Sequence, residues 1–367
     1  LTPDITFQGA SVSPASGAPQ DFFNAQGFLP VTYTVTAADG SQASWIVTVK
    51  PAPLDSLTAI GEYLDDAEPD IPGGPVPLPV EINLAGNGWT DLLGVIQSKD
   101  KNVALDLSAC DITGMTGVEG EFDPDYTITT GKAKIVSLVL PDTAESIKAG
   151  TSSNDAAFKN FTALTRAEGK AVTAIGDYAF YNCYYLSEAG FPAAKTVGNR
   201  AFYFCASLSE VSLPSAQSIG DYAFASCISG LSEISLPAAK TIGDHAFDNC
   251  LILSEISLPA VESIGGRAFD SVFGSTSEMR PLTVTLGGTV PSLGTHICAG
   301  IDGPKTVTVK VPDNDAWRGI IDGSPYDETG PYTDNWGNGF RGNGWKDDAM
   351  IDSYSVQTTI SLTVEAR

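Results

Sequence analysis

AIGDYAFYNCYYLSEAGFP (174–192), TVGNRAFYFCASLSEVSLP (196–214), SIGDYAFASCISGLSEISLP (218–237) and TIGDHAFDNCLILSEISLP (241–259) are four versions of one phrase, and a fifth, SIGGRAFDSVF, opens at residue 263. The phenylalanines fall at Phe180, Phe202, Phe224, Phe247 and Phe269, in steps of 22, 22, 23 and 22 residues. The longer step carries one inserted residue, Gly230. A fixed period of this length means a stack of small supersecondary units, so the repeat decides the fold before any local propensity is weighed.

Each stretch of the phrase has a physical task. L-x-E-[VI]-S-L-P is an extended segment that turns alternate apolar side chains inward, and its proline cannot continue a hydrogen-bonded ladder. Ile-Gly supplies a turn where any side chain would crowd the neighbouring backbone. D-Y-A-F is too short for more than one helical turn, and its phenylalanine closes the core. A single coil leaves its apolar edges open. Stacked coils cover one another and align their strands in parallel, about 4.8 Å apart.

Weaker copies flank the clear ones. AAFKNFTALTRAEG (156–169) puts Phe158 one period before Phe180 and Phe161 in the cysteine slot. LDLSACDITG (105–114) and IVSLVLPDTAESI (135–147) repeat the strand-and-turn phrase, and LTVTLGGTVPSLGTHICAGI and KTVTVKVP read as degenerate closing coils. The array thus holds about nine coils between residues 101 and 312.

The pattern I-G-x-x-A-F-x-x-C followed by L-x-x-[IV]-x-[LI]-P resembles the BspA-like class of leucine-rich repeats, over a little more than half of the chain. That resemblance implies a curved solenoid, an extracellular or cell-surface location and adhesion to host or microbial ligands. It names no ligand.

Outside the array the sequence changes character. Residues 1–52 include two alternating segments, 31–37 and 44–49, joined by Asp39-Gly40, a strong hairpin signal. They resemble the C-terminal half of a small immunoglobulin-like β-sandwich whose first half is missing, so Leu1 reads as the middle of a domain. Residues 53–100 read as a linker and N-terminal cap. There LDSLTAIGEYLDDA (54–67) forms a short amphipathic helix, DAEPDIPGGPVPLP (66–79) is extended, and VEINL (80–84) is a strand. Residues 313–367 read as a C-terminal cap that ends in a strand and holds a Trp/Gly-rich loop. The fold expected is therefore a β-rich α/β repeat: a right-handed leucine-rich-repeat solenoid with a parallel sheet, preceded by an antiparallel β-sandwich fragment.

Composition narrows the partners. The 367 residues carry 20 Lys+Arg against 44 Asp+Glu, a net charge of −24. Such a chain repels phosphate backbones and anionic lipid surfaces, which excludes nucleic acid. No apolar run reaches the roughly 20 residues that cross a bilayer, so anchoring at a membrane would come from a segment outside this chain. Extracellular proteins and glycans remain as ligands, and nothing sets the oligomeric state. Six cysteines, Cys110, Cys183, Cys205, Cys227, Cys250 and Cys298, allow a disulfide framework. Their periodic placement favours buried free thiols filling one interior slot.

The search for chemistry finds no catalytic constellation, no cofactor motif and no metal-ligand spacing. His245 and His296 occupy the slot two residues past the turn glycine, where other coils carry Tyr178, Arg200, Tyr222 and Arg267. That is a variable surface slot, and no triad converges on it. Gly86-Asn87-Gly88 lacks the context of a phosphate loop. Asp65, Asp66, Glu68 and Asp70, like Asp313 and Asp315, miss the spacing of a calcium loop and read as polar turns.

Two surfaces remain as candidate binding sites. Glu188, Glu210, Glu233 and Glu255 take one strand position in four successive coils, with Ser212, Ser235 and Ser257 two residues further on. Stacking turns them into parallel rows, and like-charge neighbours about 5 Å apart cost somewhat under 1 kcal/mol in water. A lysine-bearing partner or another cationic ligand relieves that cost; the alternative is a solvated face partly neutralised by Lys195 and Lys240. Trp336, Phe340 and Trp345 form either an aromatic platform for sugar rings or the plug of the last coil, the latter favoured because a solenoid must be capped.

Overall fold

The computed structural model describes residues 53–67, 74–116, 118–272, 282–289 and 291–293, together with strands between residues 11 and 47 and at 305–312, 332–333 and 358–365. Along residues 103–293 the chain winds as a parallel β-solenoid of about eight turns, each crossing two sheet faces.

The first face is built from the L-x-E-[VI]-S-L segments. Val76–Pro79, Val103–Asp106, Ile135–Val139, Arg166–Glu168, Glu188–Gly190 and Glu210–Ser212 form one six-stranded parallel sheet. Glu233–Ser235 begins a second one, which continues through Glu255–Leu258, Leu282–Leu286, Lys305–Pro312 and Thr358–Glu365, with Tyr332–Thr333 antiparallel at its edge. Between Glu210–Ser212 and Glu233–Ser235 no ladder forms. The inserted Gly230 lies in that coil, pressed so closely on its neighbour that a Cβ would sit 2.4 Å from the carbonyl oxygens of Ser207 and Leu208. One extra residue thus divides the expected single sheet in two.

The second face was read from sequence as a turn. It is a sheet of eight two-residue rungs, from Glu121–Phe122 through Ser218–Ile219 and Thr241–Ile242 to Ser292–Leu293. The glycine after each of the five rungs from Ala174–Ile175 to Ser263–Ile264 is there for proximity: a Cβ on Gly243 would meet the Gly220 carbonyl carbon at 2.5 Å and the Asp221 nitrogen at 2.6 Å. The Asx residue that follows it staples the stack. Asp177 Oδ1 accepts from the Asn199 amide (2.7 Å), Asn199 Oδ1 from Asp221 (2.8 Å), Asp221 Oδ1 from Asp244 (2.8 Å) and Asp244 Oδ1 from Gly266 (2.6 Å).

Positive φ angles fall elsewhere, on bulky residues. Tyr178, Arg200, Tyr222, His245 and Arg267 all lie between 54° and 57°. The left-handed twist turns the amide of each of the first four toward the next coil, where Asn199, Asp221, Asp244 and Gly266 carbonyls accept at 2.8–2.9 Å. Ordinary residues bear a cost of roughly 1–2 kcal/mol there, offset by an inter-coil hydrogen bond in each repeat.

Between the faces runs a stack of phenylalanines. Phe158, Phe180, Phe202, Phe224, Phe247 and Phe269 are fully buried, with successive ring centroids 4.2, 5.1, 5.2, 5.4 and 5.7 Å apart and planes within 15° of parallel. The cysteine slot lies beside it. Cys183, Cys205, Cys227 and Cys250 are free, buried thiols, and Cys205 Sγ donates to the Phe180 carbonyl at 3.2 Å as Cys250 Sγ does to Phe224 at 3.1 Å. Burial pushes the Cys110 thiol up to about 11 and Cys183 to about 12, and holds Cys205 and Cys227 well above their ordinary value. Cys298 lies outside the described residues.

At the N-terminal end, helix Leu57–Asp66 forms as expected, capped by Ser56 Oγ accepting from the Ala59 amide at 3.2 Å. Two expectations for this end are corrected. VEINL (80–84) is not a strand; the strand is Val76–Pro79, inside the segment read as an extended linker. Its two prolines are tolerated because it is the last strand of its sheet, paired only to Val103–Asp106. A second helix, Gly88–Lys99, was not anticipated; it buries Trp89, Leu92, Leu93 and Ile96, one face at helical spacing. Further toward the N-terminus, Val31–Thr36 pairs antiparallel with Gln42–Val47, the hairpin read from Asp39-Gly40, and Ser11–Ser13 adds a third strand. The rest of the anticipated sandwich lies outside the described residues.

Candidate functional site

The four glutamates stand as two in-register pairs and line a groove. Glu188 stands opposite Glu210 in the strand register, and Glu233 opposite Glu255; Gly190 and Ser212, then Ser235 and Ser257, follow two residues on. Alternation explains the arrangement: Ala189, Ile234 and Ile256 point inward and are buried, which leaves their neighbours on both sides facing out. Glu210, Glu233 and Glu255 are exposed, and Glu188 is half-buried.

These residues surround an open depression of about 550 Å³ on the first face, together with Arg166, Glu168 and Ser209. It straddles the break between the two sheets. Val211, beside the break, is only half-buried where Ala189, Ile234 and Ile256 are closed off. The groove therefore has acidic rows on a partly apolar floor.

Its electrostatics differ from expectation in one respect. Lys240, anticipated as a neutralising neighbour, pairs with Glu262 at 3.3 Å instead. Arg166 closes one end of the row, bonding Glu188 through Nη1 and Glu168 through Nη2. It sits one coil before Glu188 at the same register position, so extending the strand alignment through TRAEG would have found it. Among the described residues Glu210, Glu233 and Glu255 have no ion-pair partner. Three carboxylates in successive coils around one groove then hold a local negative potential that a matching cation lowers.

The turn segments between the faces present other chemistry. Arg200 lies between two tyrosines, its guanidinium carbon 5.6 Å from the Tyr178 ring centre and 4.6 Å from that of Tyr222. Tyr222 in turn stacks on His245 at 4.5 Å with planes 5° apart. The slot read as variable surface is therefore a half-buried ladder of rings and cations. His245 Nδ1 also lies 3.0 Å from Asp248 Oδ2. Tyr184 and Tyr185, in the coil that starts the clear repeats, are 48% and 59% exposed and form an aromatic corner that sequence reading passed over.

The remaining candidates resolve as follows. His296, Glu68, Asp70, Asp313 and Asp315 lie outside the described residues, as do Trp336, Phe340 and Trp345 of the suggested sugar platform. Asp65 is paired with Lys99 at 2.5 Å. Among the described residues no helix is long and apolar enough to cross a membrane.

Comparison with known proteins gives the class of the repeat. Residues 151–276 match a family model described as a BspA type leucine-rich repeat region, in six copies. Residues 1–49 match a model described as "SGBP, N-terminal". Among solved structures, a leucine-rich repeat protein from Bacteroides ovatus shares 24% identity over 56% of this chain and 43% of its own length, with a TM-score of 0.34. A leucine rich cell surface protein from Faecalibacterium prausnitzii shares 16% over 80% and 89%, with a TM-score of 0.30. The chain spans less than half the length of the first of these. No curated protein is similar in sequence at a meaningful level.

Proposed function

We propose that this chain is a non-catalytic adhesion module, displayed at a bacterial cell surface, whose groove captures a basic stretch of a host or microbial protein. The observation that carries the reading is the set of three exposed glutamates, Glu210, Glu233 and Glu255, in adjacent coils, without ion-pair partners among the described residues and on a floor that includes Val211. An extended peptide laid across the coils passes one carboxylate after another, and the long side chains of its lysines or arginines reach them. The serine row offers hydroxyls along the same path, and Arg166 closes one end against further cations. The BspA-type repeat region supports the surface setting.

The test is a binding screen of the intact chain against extracellular-matrix proteins and lysine-rich peptides, at low and high salt. Saturable binding that weakens with salt is expected, because the interaction is between charges. Charge reversal at both Glu210→Lys and Glu233→Lys should abolish it while leaving the melting temperature unchanged or higher. Binding that survives the double reversal moves the site off this groove. No binding across the panel favours a structural spacer or assembly subunit without a specific ligand.

A further inference from the structure

We propose that His245, Asp248 and Asp270 form a zinc site that clamps two successive coils together on the turn side of the solenoid. His245 and Asp248 lie three residues apart in one turn, and Asp270 takes the slot of Asp248 in the next coil. Each residue offers one ligand atom, and these atoms all lie within 4.8 Å of one another. Earlier coils cannot repeat the set: the same two slots hold Tyr178 and Tyr181, Arg200 and Tyr203, then Tyr222 and Ala225.

A second observation points to a missing cation. The Asp270 side chain is 8% exposed, and its Oδ2 meets Arg267 Nη1 at 3.3 Å. Its Oδ1 is buried and has no hydrogen-bond partner among the described residues. A buried carboxylate oxygen without a partner is unfavourable, and a metal ion at the convergence point removes the penalty.

The donor set selects the metal. Calcium and magnesium take oxygen ligands, whereas one imidazole with two carboxylates suits zinc, leaving a fourth position for water. The histidine is already held: its amide donates to the Gly266 carbonyl at 2.9 Å and its ring stacks on Tyr222. Tetrahedral zinc needs ligand atoms about 3.3 Å apart, so the half-buried Asp248 would close in by a rotamer adjustment. Arg267, 46% exposed, is the resident counter-ion and swings into solvent when the metal enters.

Isothermal titration of zinc chloride into the intact, reduced chain tests this, with calcium in large excess to occupy oxygen-only clusters. The expected result is uptake of one equivalent, with a rise in melting temperature, lost in His245→Gln and in Asp270→Asn and retained or tightened in Arg267→Ala. No saturable uptake by the wild-type chain overturns the proposal. So does uptake unchanged in His245→Gln, a variant whose half-buried ring is not needed to fill the core.

Discussion

The two sides of the solenoid handle charge in opposite ways. On the strand face glutamate recurs in four successive coils; Glu210, Glu233 and Glu255 have no ion-pair partner among the described residues, and only Glu188 is neutralised, by Arg166. On the turn side the slot changes from coil to coil, and most neighbours satisfy one another: Arg200 lies between Tyr178 and Tyr222 and His245 between Tyr222 and Asp248, while Arg267 meets one of the two Asp270 oxygens. Repetition of a charged residue accumulates potential, whereas variation lets it be paired internally. The strand face is therefore the side with charge left over for a partner, and the turn side invests its charge in holding coils together.

Both sides hang on one core, which gives the largest expected effect. Phe224 lies between Phe202 and Phe247 at 5.2 and 5.4 Å and has no exposed surface. Phe224→Ala should cost about 3–5 kcal/mol, read as a lower urea midpoint. Hydrogen exchange should then speed up on both faces of the flanking coils. Loosening confined to one face would mean the two sides do not share a cooperative core, and the comparison between them would fail.

Alkaline pH probes the same interior more gently. Cys110, Cys183, Cys205 and Cys227 have thiol pKa values raised in the folded chain, so above about pH 9 the unfolded chain has lost protons that the folded chain keeps. Their contribution is therefore complete below the unfolded thiol value and is lost as pH rises toward 11 and beyond. Lys132 opposes this. Burial holds it down to about 8 despite Asp125 and Asp123, so it favours folding as pH rises above that value, but it is one group against four. Stability should fall between pH 9 and 11, and Cys227→Ala should flatten the slope by about 1 kcal/mol per pH unit. A slope unaffected by that substitution would remove the thiols as its cause.

The third effect sharpens the strand-face side. Glu233 faces Glu255 in register, so Glu233→Gln should raise stability by somewhat under 1 kcal/mol at low salt, and the gain should disappear at high salt. A loss of stability instead would show that the row is compensated in a way the ion pairs do not reveal.

Much of this was legible in the repeat. The phase of Phe180 to Phe269, the inward Ala189, Ile234 and Ile256 and the free thiols follow from alternation and period, and the glutamate row follows from laying one phrase over another. Three features were not legible, for physical reasons. The rungs such as Thr241–Ile242 are two residues long, below any local strand signal, and exist only because a neighbouring coil lies alongside. The break at Gly230 depends on how one extra residue is absorbed, which periodicity registers but does not locate in the sheet. The cluster of His245, Asp248 and Asp270 joins residues of different coils through a slot that varies, so no linear spacing announces it.

The smallest effect tests whether the turn side really trades backbone strain for inter-coil hydrogen bonds. Asn160, Asn182, Phe204, Ser226, Asn249 and Ser271 fill one slot, at φ values from 52° to 73°. In four of them, from Asn182 to Asn249, the amide donates to the next coil at 2.7–2.9 Å. Asparagine tolerates that conformation better than phenylalanine, because its short polar side chain bonds locally. The half-buried Phe204 ring lies against the exposed Tyr184 corner, with ring centres 6.1 Å apart. Phe204→Asn should therefore raise stability by about 0.5–1 kcal/mol, seen as a higher urea midpoint with unchanged slope. If the variant is less stable, the aromatic corner contributes more than the strained backbone costs, and packing outweighs conformation on this side too.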